Sequence, residues 1–222
     1  MQEQYFSGQS VESMKEYRLA FFEELKADTR ILSDEEYQKV FALAKERFGV
    51  NSPACVIPRG LFKRYPHPEI FPLNIKKYLI AINRDSVPDP DFIKYLEIHE
   101  HWEVYTAKKI GLNQQEEIIA DYPLPIFEQK RPGHRFAILK EFKAAEQDGK
   151  LDQYMQWWRT FYQTDIEQIR TAPEEEIQRI SKYYGTNGGD RNTIIQYIQN
   201  NQKLKEDTYN KLVARRKSTE KK

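Results

Sequence analysis

Lys77-Tyr78-Leu79-Ile80-Ala81-Ile82-Asn83 and, fourteen positions on, Glu97-Ile98-His99-Glu100-His101-Trp102-Glu103 are the two stretches that decide how this chain reads. The first is rich in β-branched and aromatic side chains, which suit a pleated, half-buried backbone, and it predicts a strand. The run Asp85-Ser86-Val87-Pro88-Asp89-Pro90-Asp91 then predicts a turn and a helix start. A helical pattern follows from Asp91 to Ile110, and Gly111 is its natural stop. A strand leading into a helix crowded with imidazoles and carboxylates is the organising feature.

Upstream, Val11, Met14, Tyr17, Phe21 and Leu25 recur at spacings of three and four, the mark of one apolar helix face. Ser33-Asp34-Glu35-Glu36 has the form of a capping box, and Val40, Phe41, Ala44 and Phe48 carry a second helix toward Gly49. Residues 53–75 contain five prolines, each without a backbone donor. They predict loops with at most short edge strands, such as Ala54-Cys55-Val56-Ile57. Downstream, helices are expected at Gln114–Asp121, His134–Gln147 and Leu151–Tyr162, the last two separated by Asp148-Gly149. Tyr154, Trp158 and Phe161 have the spacing of a buried stripe. A helix from about Pro173, a turn at Gly185–Gly189 and a long polar helix from Arg191 to about Arg216 complete the chain. The expectation is an α+β protein, predominantly helical, with a small strand element ahead of the motif helix. Three regions are expected: a helical one over 1–50, a core carrying the motif over 51–165, and a helical one with a basic tail over 166–222.

Composition narrows the classes. The 222 residues carry 35 Lys and Arg against 34 Asp and Glu. From Asp190 onward there are nine Lys and Arg against four Asp and Glu, so a basic tail follows a mildly acidic body. No uncharged run exceeds eleven residues (Phe48–Pro58, Asn192–Gln202), too short for a membrane-spanning helix. The first residues show no basic segment followed by an apolar one, and a single cysteine, Cys55, excludes an internal disulfide framework. The expected setting is a reducing, cytoplasmic one. Cys55 reads as a small buried hydrophobe and His67 as a loop residue.

An α-helix turns once in about 3.6 residues, so His99 and Glu103 share a face, with Glu100 at its edge. An imidazole and a carboxylate so placed can hold two corners of a tetrahedral ion at about 2.0–2.2 Å each, and Glu100 would reach a metal-bound water. Downstream, His134 opens a helix and Glu141 lies two turns further along the same face. Either could complete the ligand set. His134 is preferred, because three of the chain's four histidines would then lie in one constellation. Glu141 is the alternative ligand, or a group that orients an imidazole.

His99-Glu100-x-x-Glu103 resembles the His-Glu-x-x-His of zincin metallopeptidases, with Glu103 where the second histidine stands. The likeness covers about residues 75–150, including the preceding strand and a later helix with the third ligand. It implies a zinc-dependent, peptidase-like hydrolase acting on a peptide or protein, with Glu100 as general base. A carboxylate ligand adds negative charge and weakens the ion as a Lewis acid, which bears on catalysis more than on binding.

A competing register uses Glu97 and His101, also four apart, and is similar to the inverted motif His-x-x-Glu-His with Glu97 in the first position. His99 and His101 point about 200° apart on a helix, so one ion cannot take both. The sequence leaves the choice open. A second reading of function also stands: a non-enzymatic structural or interaction protein whose basic end (Lys211, Arg215, Arg216, Lys217) contacts nucleic acid.

Overall fold

The strand expected at 77–83 forms over Tyr78–Asn83 (β3), and all six of its residues are buried. The computed structural model describes residues 27–40, 52–58, 78–109, 132–183 and 190–219. The expected helices at Val11–Leu25 and Gln114–Asp121, the turn at Gly185–Gly189, and His67 lie outside them. β3 is the middle strand of three, between β1 (Ala27–Leu32), which runs parallel to it, and β2 (Ala54–Pro58), which runs antiparallel. Ala27 faces Tyr78 and Leu32 faces Asn83 in one ladder; Ala54 faces Ile82 and Pro58 faces Tyr78 in the other. Burying Leu79, Ile80 and Ile82 completely contributes roughly 1.5–3 kcal/mol each, which makes this strand the anchor of the sheet.

β1 is a strand that the sequence does not predict, inside the region expected to be helical. Of Asp28–Leu32, Leu32 alone is buried, so no alternation of buried and exposed residues marks the strand. Parallel pairing with β3, some fifty residues away, supplies what local pattern does not. The capping box forms: Ser33 N–H donates to Glu36 Oε2 at 3.0 Å, and Glu36 N–H lies 3.4 Å from Ser33 Oγ. Residues 34–40 are helical behind it. The Asn83 side chain donates to Asp34 at 2.7 Å, tying this helix start to the end of β3.

Among the described residues five further helices follow: α1 (Pro90–Lys109), α2 (Pro132–Gln147), α3 (Leu151–Thr171), α4 (Glu174–Tyr183) and α5 (Arg191–Thr219). α1 lies against β2 and β3 on one side and pairs most extensively with α2 on the other, while α5 packs on α3 and α2. One apolar core runs through all of them, from Ala54 and Ile80 through Phe142, Tyr154 and Trp158 to Ile198 and Leu212. The aromatic stripe on α3 is core as expected, with Tyr154, Trp158 and Tyr162 buried. α3 runs nine residues beyond the expected Tyr162.

Two local devices fix α1 against α2. Gly149, at φ 72°, ends α2; the Lys150 N–H reaches back to Ala145 O at 2.8 Å and the Gly149 N–H to Glu146 O at 3.0 Å. This is a Schellman closure, and its left-handed residue favours glycine because a Cβ would meet the following carbonyl. The turn then grips the start of α1: Lys150 Nζ bonds Asp89 (2.7 Å) and Asp91 (2.5 Å), and Asp148 accepts from Lys94 (2.6 Å) and Tyr95 (2.8 Å). With this end pinned, the register of α1 along α2 is set where His99 and Glu103 meet the second helix.

Among the described residues, no helix is long and apolar enough to cross a membrane.

Candidate metal centre

Glu103 sits where α1 faces the first turn of α2. Its Oε1 accepts from His99 Nε2 at 2.9 Å and is in hydrogen-bonding contact with His134 Nδ1. The two imidazoles stand nearly perpendicular, with centroids 5.0 Å apart. Their ligand atoms and that of Glu103 all lie within 4.8 Å of one another. The i, i+4 spacing on α1 supplies two of the three donors, and the α1–α2 pairing brings the third from 31 residues away.

The donor set suits a divalent transition ion. Two imidazole nitrogens and one carboxylate oxygen are a ligand combination that zinc accepts. Ligand atoms around a tetrahedral ion with bonds of about 2.0–2.1 Å stand roughly 3.3–3.4 Å from each other, so small side-chain adjustments would bring these three into that range. Metal-ligating imidazoles ordinarily lean on a carboxylate through the second ring nitrogen. Here Nδ1 of His99 stands 3.1 Å from Oε2 of Glu141, at an angle that makes it an ion-pair contact rather than an in-line hydrogen bond.

Glu141 therefore meets the far side of the His99 ring and is not one of the three converging donors. It is fully buried, and both oxygens are engaged: Lys205 of α5 contacts Oε1, and Tyr154 of α3 donates to Oε2 at 3.2 Å. Neither partner is expected beside the imidazole–carboxylate cluster from the sequence. The clue to Lys205 lay in the spacing of Ile194, Ile198, Lys205 and Leu212, the four buried positions of α5, which put a lysine on an otherwise apolar seam. Tyr154 was read as core; its ring is core and its hydroxyl belongs to the site.

Burial raises the stakes of every charge here. Desolvation alone would push the His99 imidazole down, but the Glu141 and Glu103 carboxylates outweigh it and hold it up at about 10. Burial would lift Glu103, yet the His134 and His99 imidazoles bring it well below the usual carboxylate range. Glu141 is likewise brought down against burial, by Lys205 and His99. Glu100, buried beside them, goes the other way: desolvation and then the Glu103 charge push it up to about 8. A carboxyl that takes up a proton near neutrality next to a cluster of fixed charges has the character of an acid–base group.

The competing pair has a different setting. His101 is buried, with Nε2 3.8 Å from Glu97 Oε1, beyond hydrogen-bonding distance. Glu97 accepts from Thr29 of β1 at 2.9 Å, so this face of α1 turns to the sheet. Among the described residues, the group of three with metal-ligand geometry is His99, Glu103 and His134.

Trp102 packs edge-on against Phe136 (5.0 Å) and Tyr105 (5.3 Å), with Lys140 Nζ 4.8 Å from its ring, on the α1–α2 seam. Burial pushes the Cys55 thiol up to about 12, which leaves it protonated and a poor nucleophile. Lys211, Arg215, Arg216 and Lys217 at the end of α5 are exposed, with Arg216 Nε 3.4 Å from Glu146. No protein-family model, curated protein or solved structure matches this chain.

Proposed function

We propose that this chain is a metal-dependent hydrolase acting on peptide-like bonds, with His99, Glu103 and His134 as zinc ligands and Glu100 as the general base. The observation that supports it is the convergence of two imidazoles and one carboxylate on two packed helices, with a high-pKa carboxyl one residue from the first ligand. A divalent ion at these donors would act as a Lewis acid toward a carbonyl oxygen and ease the deprotonation of water.

The protein's own groups do the rest. Positive charge at the three donors favours the ionised form of Glu100, because an opposite charge nearby offsets burial. In that form Glu100 takes a proton from water and can return it to the leaving amine. Glu141 holds the far side of His99, which keeps Nε2 directed at Glu103 and the shared ligand position. The resemblance of His99-Glu100-x-x-Glu103 to the zincin pattern agrees with this assignment of roles.

The test pairs binding with turnover. Zinc-loaded protein is offered an unstructured protein substrate and a quenched-fluorescence peptide library, alongside Glu100→Gln. Cleavage by the wild type, reduced at least about 100-fold in a Glu100→Gln variant that still holds zinc, supports the role of Glu100. A zinc-loaded wild type that cleaves nothing, or cleavage that survives Glu100→Gln, contradicts it.

A further inference from the structure

Lys205 is the most deeply buried charge that the proposed reaction leaves unused. It lies in the middle of α5, 2% exposed, and its Nζ contacts Glu141 Oε1. The indole of Trp158 covers it, with Nζ 3.9 Å from the ring centroid, and Phe142 stands at 5.5 Å. Glu141, fully buried itself, thus receives Lys205 on one oxygen and the Tyr154 hydroxyl on the other, and that second oxygen also faces His99 Nδ1 at 3.1 Å. Four helices meet at this carboxylate: α1 through His99, α2 through Glu141, α3 through Tyr154 and α5 through Lys205.

Such an arrangement is costly as a stability device. Removing a lysine and a glutamate from water carries a desolvation penalty that their attraction seldom offsets by much, and apolar side chains of equal volume generally do as well. Its distinctive property is orientation. Rotating the Glu141 carboxylate would disturb contacts with three helices at once, so its position, and the side of His99 that it faces, are fixed. The Trp158 indole face against the Lys205 ammonium adds to that restraint.

On the reading of His99, Glu103 and His134 as metal ligands, we propose that Lys205 is a positioning residue of the centre: acting through Glu141 it holds the His99 imidazole in place, so that docking of the C-terminal helix and metal affinity are coupled. Because the coupling is an equilibrium one, it works in both directions. Loosening Lys205 weakens the ion, and the ion tightens α5. The region beyond Asp190 is then part of the site rather than an appended basic tail.

The experiment uses the full chain and two probes, zinc for affinity and cobalt(II) for the absorption bands that report ligand geometry. Wild type is compared with Lys205→Met, Glu141→Gln and the double variant, with helicity followed by circular dichroism. Lys205→Met is expected to weaken zinc about 10–100-fold and to alter the cobalt spectrum, as loss of a group behind a ligand does. In the Glu141→Gln background the same change should add little, since the two act as one unit. A second measurement needs no substitution: hydrogen exchange of the wild type with and without zinc should slow more at residues 201–209 than across α4, none of whose described residues belongs to the site. If wild type takes up neither zinc nor cobalt, the metal reading and this proposal fall together. If wild type binds but Lys205→Met matches it in affinity and spectrum, or zinc slows α4 as much as 201–209, only the positioning role falls. Should Lys205→Met lose its helicity, the exchange measurement decides.

Discussion

α1 carries two histidine–glutamate pairs at the same spacing, and among the described residues one of them, His99 with Glu103, converges with a third donor. His99 and Glu103 face α2, where His134 adds a third donor and Glu141 backs the first imidazole. Glu97 and His101 face the sheet, where the carboxylate accepts from Thr29 and the imidazole stands 3.8 Å away. On the sequence the two registers are equivalent. What separates them is the neighbour: a helix whose first turn presents an imidazole, against a strand that presents a hydroxyl. A short motif therefore offers two candidate pairs, and the element packed across from each sets which has a third donor within reach.

This contrast can be broken or sharpened by experiment. The largest effect on stability is expected at Glu141→Ala, which leaves Lys205 buried without its carboxylate. A cost of about 3–5 kcal/mol in denaturant unfolding is anticipated, against about 0.5–1.5 kcal/mol for Glu97→Ala, a partly exposed carboxylate that gives up its hydrogen bond from Thr29. Similar costs for both would mean that the two faces are not different in kind. Next comes zinc itself, which should raise the unfolding free energy by about 2.7 kcal/mol at a hundredfold excess over Kd. Differential scanning calorimetry should find that increment in His101→Ala and not in His99→Ala.

His101→Ala is expected to cost about 1–3 kcal/mol in the metal-free chain, because a buried polar side chain is removed. Urea titration checks it, and an accompanying loss of zinc would move the centre to the other face. Smaller still, Thr29→Val should cost about 0.5–1.5 kcal/mol through the lost hydrogen bond to Glu97 and leave zinc affinity unchanged. A pH series gives a further contrast. His99 is held up at about 10, above its unfolded value near 6.5. Its contribution to metal-free stability is therefore complete below about pH 6.5 and fades as the pH rises through about 10. Zinc must displace that proton, so its affinity should rise over the same range, which titration calorimetry in buffers of different ionisation enthalpy would reveal as proton release.

Much of this was legible in the chain because it is local. The Tyr78–Asn83 strand, the capping box at Ser33–Glu36 and the break at Gly149 follow from propensity, cap chemistry and the left-handed turn. The pair His99 and Glu103 follows from helical spacing, and His134 from its place at the start of a later helix. What escaped is non-local. β1 has no alternating pattern and is held by a parallel partner far along the chain. Lys205 shares a seam with Ile194, Ile198 and Leu212, but that spacing does not show that the position faces Glu141 until the helix is docked. The choice between registers was undecidable for the same reason, since it depends on what α1 packs against.

The most direct measurement of the central claim is metal content, by elemental analysis of untagged protein after exposure to zinc and dialysis, for wild type, His99→Ala, His134→Ala and His101→Ala. The account predicts about one zinc per chain in wild type and His101→Ala, and loss in His99→Ala and His134→Ala. No zinc in the wild type, or zinc that leaves with His101 and stays without His99, would contradict it.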